Sequence, residues 1–146
     1  MKNTLRILSM LLALLCLLPN LALASSSWMD AYALQVVQEV NMERRKRGLN
    51  ELRIDAELTR AARVRALEIT EKCSHTRPDG RRWNTVSASA YGENIARGQK
   101  TADKVMAAWM SSAGHRKNIL RASYGSIGVA CVREGNIYHW VQLFGR

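Results

Sequence analysis

The chain has few cysteines, prolines and acidic residues, and it lacks any repeat. Its 146 residues include three Cys, two Pro and 12 Asp plus Glu. There is no Gly-X-Y pattern, no low-complexity tract and no internal period of about 20–50 residues, which excludes collagen, linkers and solenoids. Hydrophobic residues make up 47% of the chain, so the composition is not that of a disordered protein. The length allows one folded domain.

Only one apolar run is long enough to meet a membrane, and it lies at the N-terminus. Lys2 and Arg6 precede the apolar run Ile7–Leu18, and Ala22-Leu23-Ala24 has the small residues of a signal-peptide cleavage site. The run is shorter than the roughly 20 residues of a membrane span. We therefore expect a signal peptide at residues 1–24 and a mature domain at residues 25–146, exported to the periplasm or the cell exterior and without a transmembrane span. A membrane anchor is the alternative.

Basic residues outnumber acidic ones by 22 to 12, which gives a formal net charge of +10. Because export separates a chain from intracellular nucleic acid, we expect no nucleic-acid partner. A positive surface favours anionic partners instead, such as lipid headgroups or the phosphates and acidic glycans of a cell envelope. Solubility alone is the other explanation of the charge.

Removal of residues 1–24 would also remove Cys16 and leave Cys73 and Cys131. Two cysteines in an exported chain usually form a disulfide, so we predict a bond between Cys73 and Cys131. The alternative is that Cys73 is a nucleophile, because His75 lies close to it in the sequence.

Helical and strand patterns follow one another along the rest of the chain. Apolar residues at helical spacing predict a first helix that Gly48 ends, and a second that begins after the N-cap residue Asp55. Two short helices and a C-terminal hairpin follow. The predicted helices cover Met29–Arg47, residues 56–72, Ala102–Met110 and Ser112–Leu120, and the strands cover Asn94–Arg97, Ser126–Arg133 and Ile137–Phe144. This is an α+β fold with helices packed on a small antiparallel sheet.

Polar residues that could carry chemistry occur in ordered motifs. These are Cys73-Ser74-His75-Thr76-Arg77-Pro78-Asp79-Gly80, Tyr91-Gly92-Glu93-Asn94-Ile95-Ala96 and Gly114-His115-Arg116-Lys117-Asn118, followed by Trp140-Val141-Gln142-Leu143-Phe144-Gly145. Together they resemble a bacterial CAP domain, also called an SCP domain, from the superfamily of cysteine-rich secretory proteins, antigen 5 and plant pathogenesis-related proteins. The resemblance covers nearly all of the mature chain.

The resemblance implies a three-layer α-β-α sandwich with a central groove. Members of the family place two histidines and one or two glutamates in this groove, and some bind a divalent metal there. By motif, these positions are His75, Glu93 and His115. Many bacterial relatives carry an acid just before Gly-His-Arg, whereas this chain has Ser112 and Ala113, so the second carboxylate is missing.

Two neutral imidazoles and one carboxylate could form a zinc site with an open position. Glu93 could instead orient His75 or His115 without touching the metal. These residues lack the local spacing of a metal motif, so from spacing alone they could equally be structural hydrogen-bonding groups. The third histidine, His139, lies on the last predicted strand, where we expect it to face solvent rather than to join the groove.

We expect a monomeric exported binding module whose groove takes a lipid, an anionic envelope polymer or another envelope component. The alternative is a metal-dependent hydrolase, most simply a peptidase, in which Glu93 is the general base for a metal-bound water. A third hypothesis is a stable scaffold that binds a protein partner. The residues do not decide whether the chain is an enzyme.

Overall fold

The computed structural model describes residues 29–146, so the predicted signal peptide at residues 1–24 lies outside the described residues. The first helix, α1, covers residues 29–45. The other helices are α2 at Ala56–Glu71, α3 at Ala102–Ser111 and α4 at Ala113–Ile119, and the strands are β1 at Arg53–Ile54, β2 at Gly92–Arg97, β3 at Ser126–Glu134 and β4 at Ile137–Gly145, with one 3-10 turn at Trp83–Val86. The described helices and the C-terminal hairpin therefore match the predicted ones to within a few residues.

The four strands form one sheet in the order β1-β3-β4-β2. β3 and β4 form the predicted antiparallel hairpin, and β2 pairs antiparallel with β4. β1 was not predicted, and it pairs parallel with β3, so the sheet is mixed rather than purely antiparallel. Two residues are too few to show strand periodicity, which is why the sequence did not reveal β1. At the opposite edge, β2 has one free side.

Helices cover both faces of the sheet, which confirms the predicted α-β-α sandwich. On one face, α1 and α3 pack over strand residues that include Trp140 and Phe144, both fully buried. On the other face, α2 packs against β3 and β4 through Leu58 and Ile69, which are also fully buried. Successive residues of β3 and β4 point alternately into the two cores, because side chains alternate between the faces of a pleated strand.

The predicted start and stop signals act as expected. The Asp55 side chain accepts a hydrogen bond from the Leu58 N–H at 2.9 Å, which caps α2. Gly48 follows α1 with a φ of +68°, a conformation that glycine adopts without a steric penalty. The Gly80 N–H donates to the Arg77 carbonyl at 2.9 Å, which closes a β-turn with Pro78 at its second position. These local features therefore fix where α1 ends, where α2 begins and where the chain turns after α2.

Arg44, in the basic run that ends α1, links α1 to the segment between α4 and β3. It is fully buried, and the described residues place no carboxylate against it. Burial lowers the pKa of its guanidinium. Its nitrogens donate to the backbone carbonyls of Asn50, Ile119, Arg121 and Tyr124 at 2.7–3.3 Å. The basic run therefore includes a structural residue as well as exposed charge.

A membrane span would need a long apolar helix. None of the helices within residues 29–146 has the length and apolar character for this.

Candidate functional site

Glu93 lies on the edge strand β2, and its carboxylate is completely buried. A buried carboxylate is costly unless a cation and hydrogen bonds compensate it. Arg65 of α2, itself fully buried, supplies both. Its Nε donates to Oε2 of Glu93 at 2.7 Å, and its Nη2 donates to Oε1 at 3.3 Å. α2 therefore holds Glu93 as an ion pair beneath the edge of the sheet.

His75 completes a three-residue chain at this edge. Its Nδ1 lies 2.8 Å from Oε1 of Glu93, while 54% of its side chain is exposed. A carboxylate can only accept, so we assign the proton of the neutral imidazole to Nδ1. This leaves Nε2 of His75 as a hydrogen-bond acceptor directed away from Glu93.

Arg65 also positions the loop that carries His75. Its Nη2 donates to the Ser74 carbonyl at 2.7 Å, and its Nη1 donates to Glu68 at 2.6 Å. Glu68 in turn accepts from Arg77 at 2.6 Å. Burial raises the pKa of Glu68, but the hydrogen bonds from Arg77 and Arg65 outweigh this effect and lower it overall. One guanidinium therefore sets the position of both Glu93 and the backbone next to His75.

Arg65 is the site residue that the motifs missed. It occupies a position on the buried stripe of α2, together with Leu58 and Ile69. A charged residue on a buried helical face is almost always paired, and this was the one available signal. Its partner, Glu93, is 28 positions away in the sequence, so the pattern of α2 could not identify the pair.

His115 reaches the same edge of the sheet from α4. The Asn94 side chain donates to the His115 carbonyl at 3.1 Å, and the Asn118 side chain donates to the Glu93 carbonyl at 3.1 Å. Burial lowers the pKa of His115, and so does the positive charge that His75 carries when it is protonated. The three predicted residues therefore share one edge, but the described hydrogen bonds join only His75 and Glu93 directly.

The arrangement does not fit a metal ion bound by Glu93. Within residues 29–146 there is no group of three or more His, Cys, Asp or Glu side chains placed to hold one. Arg65 already neutralises Glu93, and a second cation at the same carboxylate would be repelled by the guanidinium. The contacts with Arg65 and His75 also leave Glu93 poorly placed to take a proton from a metal-bound water. Nε2 of His75 remains open at this site, and the ring nitrogens of His115 form none of the described hydrogen bonds.

The structure does not contain the predicted disulfide. Cys73 is an exposed free thiol and Cys131 is a buried one. Cys131 points into the core that α1 and α3 form with one face of the sheet. Cys73 follows α2, which covers the opposite face. Burial raises the pKa of the Cys131 thiol to about 12. The prediction from cysteine count failed because alternate residues of β3 face opposite sides of the sheet.

The expectation that His139 faces solvent is wrong. Its side chain is fully buried on the α2 side of β4, and neither ring nitrogen has a hydrogen-bond partner among the described residues. Burial and the charge of Arg97 lower its pKa, although Glu134, 3.7 Å away, opposes this change. His139 therefore lies in the core and does not belong to the edge site.

The fold and this site define an α-β-α sandwich protein with a histidine–glutamate pair at the edge of its sheet. The family model described as "CAP: Cysteine-rich secretory protein family" matches residues 37–144. The chain therefore belongs to the CAP family, whose domain is also called SCP.

Proteins from several bacteria are among those similar to this chain. "Uncharacterized protein YkwD" of Bacillus subtilis (strain 168) is 40% identical over 133 residues, which are 86% of this chain and 51% of the relative. The chain thus spans about half the length of that relative. An outer surface protein from Borrelia burgdorferi is 28% identical with a TM-score of 0.66, over 75% of this chain and 88% of that one. An extracellular SCP-domain protein from Bacillus anthracis str. Ames, 23% identical, has a TM-score of 0.73 over 81% of this chain and 41% of that one.

Proposed function

We propose that this CAP domain is exported and binds an anionic, phosphate-bearing polymer of the bacterial cell envelope at the edge of β2. The observation that carries the proposal is the chain from Arg65 through Glu93 to His75. Two fully buried charges hold one half-exposed imidazole in a single orientation. Buried charges that fix one exposed side chain in this way are typical of a recognition site.

The chemistry of the edge suits hydroxyl and phosphate groups. Nε2 of His75 can accept a hydrogen bond from a hydroxyl group, and after protonation it can donate one to a phosphate oxygen. The exposed side chain of Arg82 lies on the same loop as His75, and the exposed Lys117 follows His115 on α4. With a formal charge of +10 on the chain, this edge attracts polyanions at long range.

The proposal involves no metal ion, because the Arg65 guanidinium already neutralises the Glu93 carboxylate. We expect the same polymer affinity in zinc as in a chelating buffer. An increase of tenfold or more with zinc would show that the metal hypothesis for His75, Glu93 and His115 is correct and would revive the hydrolase alternative.

Polyglycerol phosphate is a suitable probe, with uncharged dextran as the control ligand. Replacing His75 with Gln should weaken polyglycerol phosphate binding by about five- to tenfold, the value of one or two hydrogen bonds. Arg53→Gln is the control variant, because Arg53 is exposed on β1, at the opposite edge of the sheet. Calorimetry at two salt concentrations would measure the affinity of each variant for polyglycerol phosphate. His75→Gln leaves the charge of a neutral imidazole unchanged, whereas Arg53→Gln removes one positive charge. A loss in Arg53→Gln as large as or larger than that in His75→Gln would therefore mean that binding follows net charge, and it would contradict the site.

Export has its own test. The mass of the protein recovered outside the cytoplasm should correspond to a chain that begins at Ser25. Recovery of a chain that retains residues 1–24 would contradict cleavage and favour a membrane anchor.

A further inference from the structure

A short hairpin at residues 75–83 carries His75 and places Trp83 beside it. Thr76 and Arg82 are antiparallel bridge partners, and the Trp83 N–H donates to the His75 carbonyl at 3.0 Å. His75 and Trp83 are therefore directly opposite each other in the same register. Residues in this relation present their side chains to one face, with Cβ atoms about 5 Å apart. The imidazole and the indole ring are thus neighbours.

This face of the hairpin is turned towards α2 and β2. From it, His75 forms its hydrogen bond with the buried Glu93 of β2. Trp83 is half-buried, and its side chain packs against the apolar cluster that α2 forms with the sheet, which includes Leu58 and Ile69. The 3-10 turn that begins at Trp83 contacts both α2 and β2. The core therefore holds the indole ring in place while part of the ring stays exposed.

The indole N–H of Trp83 differs from those of the other tryptophans that the structure describes. Trp109 and Trp140 are buried, and they donate to the backbone carbonyls of Ile95 and Gln99 at 3.2 and 2.8 Å. For Trp83, no acceptor within residues 29–146 takes a hydrogen bond from the indole N–H, and this nitrogen is not among the buried unpaired side-chain atoms. Because a buried indole N–H usually has a partner, the N–H of Trp83 lies at the surface and is available to a ligand.

Together the two side chains offer three kinds of contact. Nε2 of His75 accepts a hydrogen bond, the indole N–H of Trp83 donates one, and the indole ring presents an electronegative face. A hexose ring has the matching groups. Its hydroxyl groups both donate and accept hydrogen bonds, and one face of the ring carries C–H groups that pack on an aromatic surface. A glycerol phosphate unit has hydroxyl and phosphate oxygens but no such apolar face.

We propose that the site at His75 selects polymers that carry hexose substituents, with the sugar ring stacked on Trp83. This inference rests on the proposed function and adds a specificity-determining residue to it. The phosphate groups supply the long-range attraction to the basic edge, while Trp83 distinguishes a glycosylated chain from a bare one. One stacked ring does not hold an uncharged glucan by itself, because association costs translational and rotational freedom, so dextran remains a control ligand.

Two forms of polyglycerol phosphate of equal length test this inference, one bare and one with glucosyl substituents. Calorimetry with the parent protein should show about five- to tenfold tighter binding of the glucosylated form, the value of one aromatic contact and one hydrogen bond. Trp83→Leu should abolish this preference and leave the affinity for the bare polymer unchanged. Trp83→Phe keeps a flat ring but lacks the N–H, so it should retain part of the preference. Because phenylalanine also keeps most of the packing, this variant decides the test if Trp83→Leu does not fold.

Tyr138→Leu is the matched control. Tyr138 is also a half-buried aromatic residue, but it packs on the opposite face of the sheet, against the core under α1 and α3. The variant should therefore keep the full preference for the glucosylated polymer. If it loses this preference as Trp83→Leu does, the effect does not come from a contact with Trp83, and the inference is overturned.

The outcomes separate this inference from the proposed function. Equal affinity of the parent protein for both polymers would overturn the role of Trp83 and leave the polymer site at His75 intact. The same conclusion follows if Trp83→Leu weakens the binding of both polymers by the same factor, since Trp83 would then only position His75. If neither polymer binds the parent protein, the proposed function fails and the sugar specificity fails with it.

Discussion

At the scale of single residues, the candidate site depends on one guanidinium. Arg65 contacts Glu93, Glu68 and the Ser74 carbonyl with all three of its nitrogens. A planar fork of fixed donors can do this, whereas a lysine ammonium is a single point charge and cannot. The orientation of His75 therefore follows from a residue that does not itself touch the solvent.

Replacing Arg65 with Met should destabilise the protein by about 3–5 kcal/mol, because Glu93 would remain buried without a cation. Arg65→Lys should cost less, since it keeps the charge but loses part of the fork. Urea unfolding at pH 7 measures the stability of both variants, because a shift of the urea midpoint with an unchanged m-value reports a change in the free energy of unfolding. Arg63→Met is the matched control on the same helix. Its ion pair with Asp30 is exposed, so its loss should cost less than about 0.5 kcal/mol. If Arg63→Met and Arg65→Met lower the free energy of unfolding equally, the ion pair between Arg65 and Glu93 does not behave as a buried one.

At the scale of elements, α2 lies unusually close to the sheet. Its inner face carries Ala61, Ala62 and Ala66, and β3 presents Gly128 to it. A Cβ atom built on Gly128 would lie 2.2 Å from the Leu58 backbone carbon. The glycine is therefore required for the separation that allows Arg65 to reach Glu93.

Gly128→Ala should accordingly destabilise the protein by about 3 kcal/mol, the upper end of the usual cost of overpacking, since backbone rather than a flexible side chain must move. Gly114→Ala in α4 is the control, because a Cβ there meets nothing within 4 Å and alanine favours a helix by up to about 1 kcal/mol. Thermal unfolding of both variants checks this. A small change for Gly128→Ala would mean that α2 can shift outward and that the close packing is not needed.

The sheet also separates the two cysteines, and thiol labelling tests this. In a Cys16→Ser variant under native conditions, Cys73 should react quickly with a maleimide. Cys131 should react only after unfolding, because it is buried and its pKa is raised to about 12. Mass spectrometry with and without prior reduction distinguishes the outcomes. If neither thiol reacts before reduction and both react after it under denaturing conditions, the predicted disulfide exists.

The sequence predicted the elements whose signals are local. Asp55 and Gly48 mark helix ends, and the motifs around His75, Glu93 and His115 identify residues near one edge of the sheet, of which the described hydrogen bonds join only His75 and Glu93 directly. Interactions between distant residues were beyond this reasoning. Arg65, for example, is recognisable as buried but its partner is not. The burial of His139 and the separation of the cysteines likewise depend on which face of a strand packs beneath which helix, and alternation alone does not assign that face.

At the scale of the whole molecule, the buried His139 and the half-buried His115 should make stability depend on pH. Burial lowers the pKa of both His115 and His139 in the folded protein. In the unfolded chain their pKa is about 6.5. Below that pH the unfolded state binds protons that the folded state does not, so stability is lost as the pH falls from about 7 towards 5. Each histidine can contribute a slope of up to about 1.4 kcal/mol per pH unit.

Replacing His139 with Phe should remove one of these contributions. The imidazole nitrogens have no hydrogen-bond partners within the described residues, so an apolar ring of similar size should cost little at pH 7 and could raise stability. Unfolding free energies measured by urea between pH 5 and 7 should then show a shallower slope than the parent. His115→Gln should reduce the slope independently, since the two residues lie on different elements. If the slope in His139→Phe equals that of the parent protein, His139 takes up its proton equally in both states and its burial has no effect on acid stability.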